Sequence, residues 1–406
     1  MLKRLFSVKI PNKTPWDNKS FTSLELPATP YELSNALGRS GGWLKAKPTA
    51  YMEQVWDFDY LAPLWSQPLN LFALNMLAEK LSEMDYTQRT AFRGLAMVEF
   101  SKMERDYTVE RFLDLAYSTE CCHVLGDVHD DAALGRFYAE NGFLPQYEEL
   151  RDDVFNHLNF TSIGKEIREK EGGVFVPLGR TEGGYVIQDE DLRFAPTVPT
   201  GPMEKPEYTF RLTLSPYDFS NGETGEIKVD LDFPATREDI DAALEKLDVS
   251  CWAETVICDY DGPIPCPEDL EGSFSRMERL NDLARAAEKI EAAGRTLKYN
   301  AVLEATGARR ISEAIEIAES LDEYTCDWDI KSVEGLAWCE LTAAVGEADA
   351  RWMGKYMDLQ GYGNEIMERY NGALTDYGYV VRGDGQPIQS FNEQPSQSEQ
   401  GPQMQF

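Results

Sequence analysis

This chain is written twice. LELPATPYELSNAL at residues 24–37 aligns without a gap on LDFPATREDIDAAL at 231–244. SIGKEIREKEGGVFVPLGR (162–180) aligns on GYGNEIMERYNGALTDYGY (361–379), so that Gly164, Glu166, Ile167, Glu169, Gly173 and Gly179 fall on Gly363, Glu365, Ile366, Glu368, Gly372 and Gly378. Between them VERFLDLAYS (109–118) echoes ISEAIEIAES (311–320), and the three landmarks keep one order at offsets of 207, 202 and 199 residues. A period near 200 residues describes a tandem pair of whole units, not a short-period solenoid. Each unit must therefore bury its own core within roughly half of the 406 residues.

Each copy opens in the same way. FTSLEL (21–26) alternates as a strand, and Thr29-Pro30-Tyr31-Glu32 supplies an N-cap, a proline at the first helical position and a capping-box glutamate. IKVDLDF followed by Thr236-Arg237-Glu238-Asp239 repeats the device. Val55–Tyr60 and Thr255–Tyr260 read as further strands, which gives a small α+β module. Helical spacing then predicts helices over 69–84, 86–100 and 109–118, matched by 274–290, 296–307 and 311–320. Each copy closes on a helix (Ile163–Lys170; Tyr362–Tyr370), a glycine and a hairpin-like segment.

The expected fold is α+β and elongated, with two tandem repeats. The α+β modules are 1–66 and 207–272, the helical modules 67–105 and 273–308, and the acidic closing modules 106–190 and 309–383. A proline-rich linker covers 191–206, and the Gln/Ser/Pro-rich tail at 384–406 is expected to be disordered.

Charge narrows the partner. The chain carries 71 Asp+Glu against 39 Lys+Arg, a net of −32. Residues 1–105 hold 13 bases and 11 acids, whereas 106–406 hold 26 and 60. Such a surface repels nucleic acid rather than binding it. Duplex DNA carries one charge per roughly 1.7 Å, so an excess of about 34 carboxylates corresponds to roughly 58 Å of duplex. Seven cysteines without a CxxC pair read as reduced thiols in a cytoplasmic protein. The basic opening MLKRLFSVKI stops at Pro11 before an apolar region forms, so it is no signal peptide, and no run is apolar enough for a membrane span.

Few residues of the chain could supply catalytic groups. Cys121-Cys122-His123 with His129 offers soft ligands at a spacing that fits no zinc pattern, and the second copy keeps only Cys326 there. Asp259-Tyr260-Asp261-Gly262 resembles the opening of a calcium loop, but prolines follow it and a turn is the simpler reading. Asp57-x-Asp59 and Asp327-x-Asp329 are paired carboxylates that strand or turn alternation explains. The glycine pairs at 172–173 and 183–184 lack the phosphate-loop context, and no nucleophile elbow is present. No catalytic residue, metal or cofactor is expected.

What remains is the carboxylates. The first copy presents Asp106, Glu110, Asp114, Glu120, Asp127, Asp130, Asp131, Glu148, Glu149, Asp152 and Asp153. The second presents Glu313, Glu316, Glu319, Asp322, Glu323, Asp327 and Asp329. Like charges three or four residues apart on a helix cost a few tenths of a kcal/mol per pair, so same-sign rows are locally disfavoured. A solvated helix face explains any single stretch; recurrence in both copies favours a recognised acidic surface.

The order of LPATPYEL, the LNMLAEKL helix (74–81), GRFYAENGFL (135–144) and IGKEIREKEGGVF resembles the ArdA-type antirestriction proteins. LDFPATREDI, LNDLARAAEKI and YGNEIMERYNGALTDYG are similar in the second copy. The resemblance covers nearly all of 20–190 and, more weakly, 207–383. It implies an elongated three-part subunit that imitates B-form DNA and occupies the DNA channel of type I restriction-modification enzymes, carried on mobile elements to evade host defence. Family members are single units that dimerise through the C-terminal part, so two units in one chain imply a monomer acting as a pseudo-dimer, or a homodimer. The basic stretch 1–48, with eight Lys+Arg against three acids, departs from an all-acidic mimic. The other reading is a mimic aimed at another DNA-binding protein, such as a CRISPR effector or a transcription factor.

Overall fold

The computed structural model describes residues 3–13, 20–41, 48–56, 58–65, 67–101, 107–147, 151–178, 182–199, 204–218, 223–270 and 274–391. Its first sheet has β1 (Phe6–Pro11) at the centre, between β2 (Phe21–Leu26) and β3 (Thr49–Val55), with α1 (Pro30–Ser40) packed on it and β4 (Leu69–Asn70) at the edge beside β3. Alternation explains β1: Phe6, Val8 and Ile10 are buried while their neighbours are half-exposed. The sequence reading missed this strand as a basic opening. The expected capping box forms, with the Thr29 hydroxyl accepting from the Glu32 N–H and Glu32 accepting from the Thr29 N–H. Gly41, at φ 67°, ends the helix.

Among the described residues of the strand expected over 55–60, only Val55 belongs to a strand. β3 lies earlier, and a 3-10 turn occupies Asp59–Leu64, because TAYMEQV carries the alternation that pairs with β1. Asp57 lies outside the described residues. Three helices follow, α2 (Leu71–Ser82), α3 (Tyr86–Ser101) and α4 (Val109–Tyr117), near their expected bounds. One hydrophobic cluster, from Leu5 to Ala116, runs through the sheet and these helices.

A smaller body with its own cluster around Leu134, Ile167 and Tyr185 closes this half. It contains β5 (Cys122–Gly126), α5 (Asp131–Glu140), a short α6 (Asp152–Phe155), α7 (Phe160–Glu171), β6 (Val174–Leu178) and β7 (Glu182–Gln188). The sheet order is β5-β7-β6. Helices α5 and α7 pack backbone to backbone: a Cβ on Gly164 would lie 1.8 Å from the Asp131 carbonyl oxygen.

The second half opens with β8 (Phe210–Asp218), β9 (Glu223–Thr224), β10 (Val229–Phe233), α8 (Arg237–Lys246) and β11 (Thr255–Asp261), in the order β10-β8-β11 with β9 beside β8. Then come α9 (Phe274–Ala292), α10 (Thr296–Thr306) and α11 (Ile311–Ser320). The last body holds β12 (Tyr324–Asp327), α12 (Val333–Val345), α13 (Glu347–Met353), α14 (Leu359–Tyr370), β13 (Ala373–Leu374) and β14 (Tyr379–Arg382), in the order β12-β14-β13. The overall class is α+β, as expected.

Particular contacts recur. The Asn75 amide on α2 clasps Ala28, accepting from its N–H at 2.7 Å, and Asn281 on α9 clasps Ala235 at the same distance. Helix α7 ends at Gly172 with φ 71°, whereas α14 ends one residue before the expected glycine, at Asn371 with φ 51°. Asparagine tolerates this left-handed conformation better than most side chains.

The stretches expected to be a linker and a tail carry contacts. Leu192, Ala195 and Val198 of the linker pack on the first cluster. Ile388 and Phe391 pack on the second, and the Phe391 N–H donates to the Thr306 carbonyl at 2.9 Å. Residues 392–406 lie outside the described residues.

Helix α1 also faces the second half. The Tyr31 hydroxyl donates to the Tyr208 carbonyl at 2.6 Å, and the Tyr377 hydroxyl donates to Asn35 Oδ1 at 2.9 Å. Arg39 pairs with Asp376 at 3.2 Å. Lys331 Nζ, half-buried, donates to the Arg39 carbonyl and, at 2.9 Å, to the Asp376 carbonyl. The basic N-terminal module is therefore the one that meets the acidic half. Arg4 is spent locally, on the Glu32 carboxylate at 2.6 Å.

Candidate protein-binding surface

The candidate carboxylates divide by what their oxygens already do. Four serve the fold. Asp130 is the N-cap of α5, accepting from the Ala133 N–H at 2.8 Å. Glu313 lies at the start of α11 and accepts from the Arg309 and Arg310 N–H groups at 2.9 and 3.0 Å. A carboxylate is favoured there because the first-turn N–H groups have no helical partner and the helix dipole is positive. Asp114, half-buried on α4, accepts from the Ala195 N–H at 2.9 Å and so ties the linker down. Asp131 makes a two-pronged pair with Arg168 at 2.8 and 3.2 Å, and those hydrogen bonds hold its carboxyl below the usual carboxylate range.

A second group is exposed but paired with arginine. Glu120 meets Arg193 at 2.7 Å and Glu323 meets Arg382 at 2.8 Å. Asp153 pairs with Arg151, and Asp322 with Arg295. The Arg151 hydrogen bond lowers the Asp153 carboxyl. Such surface pairs are worth about 0–1 kcal/mol, so a partner's cation displaces the arginine at little cost.

The third group is free to receive a partner. Glu110, Asp127, Glu316, Glu319, Asp327 and Asp329 are exposed, and among the described residues no Lys or Arg forms an ion pair with them. Glu316 takes a weak neutral contact from Gln389 at 3.1 Å, and Asp327 accepts from the Asp329 N–H at 3.1 Å. Asp106, Glu148 and Glu149 lie outside the described residues, as does the side chain of Asp152 at the start of α6. The structure thus brings the second-half set into one continuous stretch, from α11 through the 3-10 turn Leu321–Glu323 into β12.

The sequence reading passed over α8. Glu238, Asp241 and Glu245 are exposed along it, and Asp248 follows, with Arg237 only 3.8 Å from Asp241 as local compensation. The acid density of REDIDAALEKLD is legible in the sequence beyond the capping box that it supplies. Glu334, Glu347, Asp349, Asp358, Glu365 and Glu368 add exposed carboxylates on the last body.

The Cys, His and Asp residues of metal-ligating type are placed otherwise. His123 is exposed and meets Asp189 at 3.0 Å, Cys121 is buried, and burial pushes the Cys122 thiol up to about 12. Among the described residues no group of three or more His, Cys, Asp or Glu is placed to hold a metal. Asp261 ends β11 instead of opening a turn, and its carboxylate accepts from the Thr29 and Tyr208 hydroxyls at 2.6 and 2.5 Å. No helix among the described residues is long and apolar enough to cross a membrane.

No curated protein matches the chain. The family model of the antirestriction protein (ArdA) matches residues 217–381, from the end of β8 through all but the last residue of β14. That segment includes α8 and the α11–β12 stretch, and it holds 36 Asp+Glu against 15 Lys+Arg.

Proposed function

We propose that the chain is an antirestriction protein, an acidic DNA mimic that binds the DNA-binding channel of type I restriction-modification enzymes and inhibits them without catalysis. The carrying observation is the family match over 217–381, the segment in which exposed carboxylates line α8, α11 and β12. Lys and Arg that normally neutralise phosphates would meet these carboxylates instead. Affinity would be distributed over many contacts and would fall steeply with salt.

We read the chain further as two such units in tandem. The matching sheet orders β2-β1-β3 with β10-β8-β11 and β5-β7-β6 with β12-β14-β13 support this, as do the Asn75–Ala28 and Asn281–Ala235 clasps. In this reading the chain does internally what two single-unit subunits would do.

Size-exclusion chromatography of the purified chain with a type I restriction-modification enzyme tests the target. Co-elution in a stoichiometric complex that excludes DNA is the expected result. No complex at micromolar concentrations would overturn it. Co-elution instead with a CRISPR effector or a transcription factor would move the mimicry to that target.

A further inference from the structure

Helix α1 and the second half do not close completely. Between them lies a cleft of about 410 Å³, within the range of small-molecule sites. Its apolar wall comes from Pro30, Tyr31, Pro263 and Leu297, and its polar wall from Asn300, Glu291 and Lys205. Asn300 on α10 is 1% exposed. Its Nδ2 donates to the Pro263 carbonyl at 2.9 Å, which fixes the amide's orientation, and its solvent-shielded Oδ1 has no hydrogen-bond partner among the described residues. A buried amide oxygen left unsatisfied costs about 1–3 kcal/mol, so a ligand N–H that reaches this shielded oxygen as the wall adjusts would be favoured.

The field has a sign. The Tyr31 phenol is pushed above its ordinary range, first by burial and then by the charges of Glu291, Asp261 and Glu288. Lys205 is the compensating cation, 2.7 Å from Glu291, but its side chain is 51% exposed and comes from the linker. A long, half-exposed side chain is held loosely there.

We propose that this cleft binds a small organic cation with an apolar body, such as an aryl amidinium or aryl ammonium. Its N–H donors would meet Asn300 Oδ1 and the Glu291 carboxylate, displacing Lys205, while its body packs against Tyr31, Pro263 and Leu297. The site is independent of the acidic face, and it spans both halves, so a bound cation favours their packed arrangement.

Calorimetric titration of the full chain with benzamidine, and with uncharged benzamide as its isostere, tests this. Benzamidine should bind about tenfold more tightly, the equivalent of one charge-assisted hydrogen bond. Glu291→Gln should cost benzamidine about tenfold, and Lys205→Met should tighten it by removing the competing cation. Both side chains are partly exposed, so the variants are expected to fold, which circular dichroism checks. Equal binding of benzamidine and benzamide, no binding at millimolar concentrations, or binding indifferent to both substitutions would overturn the proposal.

Discussion

The Thr29 hydroxyl that caps the first helix also donates to Asp261, 2.6 Å away and 232 residues further along the chain. The other Asp261 oxygen takes the Tyr208 hydroxyl at 2.5 Å, so one carboxylate joins α1, β11 and the residues leading into β8. Hydrogen bonds to charged groups contribute about 1.5–3 kcal/mol each. Asp261→Ala is expected to cost about 2–3 kcal/mol and to uncouple the halves. Urea unfolding should then resolve two transitions where the parent shows one. An unchanged midpoint and a single transition would mean that the contact holds nothing.

Close helix packing gives a second expectation. Gly164→Ala puts a methyl against the Asp131 carbonyl, and Gly363→Ala puts one 2.2 Å from the Val333 carbonyl. Backbone cannot yield as a side-chain tip does, so α5 must separate from α7, and α12 from α14. Each substitution is expected to cost at least about 3 kcal/mol, at the top of the usual overpacking range. Comparable losses of melting temperature in both variants would also support the tandem reading; a loss in one half alone would count against it.

Lys331 gives a pH expectation. Burial, with Arg39's charge adding to it, pushes its ammonium down to about 8, against the pull of Asp376, Glu304 and Asp329. In the unfolded chain a lysine titrates near ~10.4. Between those values the unfolded chain binds more protons at this position, so its contribution to stability rises with pH through that window. The parent should gain melting temperature relative to Lys331→Met from about pH 8 to pH 10. A difference that stays flat with pH would contradict the desolvated site.

The carboxylate surface makes a graded prediction. Glu319→Gln alone should change inhibition of a type I enzyme by less than about fivefold, since one screened surface charge is worth under about 1 kcal/mol. Neutralising Glu316, Glu319, Asp322, Asp327 and Asp329 together should weaken inhibition by two or more orders of magnitude, with melting unchanged. Glu313→Ala should do the reverse, lowering stability by about 1 kcal/mol through its lost cap contacts while inhibition holds. Abolition of inhibition by a single substitution would refute distributed mimicry.

Much of the fold was legible because helices declare their period and ends. The Thr29 and Thr236 capping boxes, and the apolar stripes of α2, α4 and α11, place those elements near their observed bounds. β1 was hidden because Lys3 and Arg4 precede it and Lys9 interrupts a six-residue strand whose burial depends on neighbours far along the chain. α12 was hidden for the opposite reason: GLAWCELTAA is apolar nearly all round and carries no helical stripe. The candidate surface was legible as composition but not as roles. Spacing cannot separate Glu313 from Glu319 until the N–H groups beneath Glu313 are seen, and Asp114 finds its partner Ala195 81 residues away.

The most direct test is a competition titration of the chain against labelled target DNA on a type I restriction-modification enzyme, at low and at high salt. The account predicts stoichiometric displacement of DNA at low salt that fades as salt rises, because both ligands present rows of charge to the same cationic channel. Retention of DNA at micromolar chain in low salt would contradict it, as would displacement indifferent to salt.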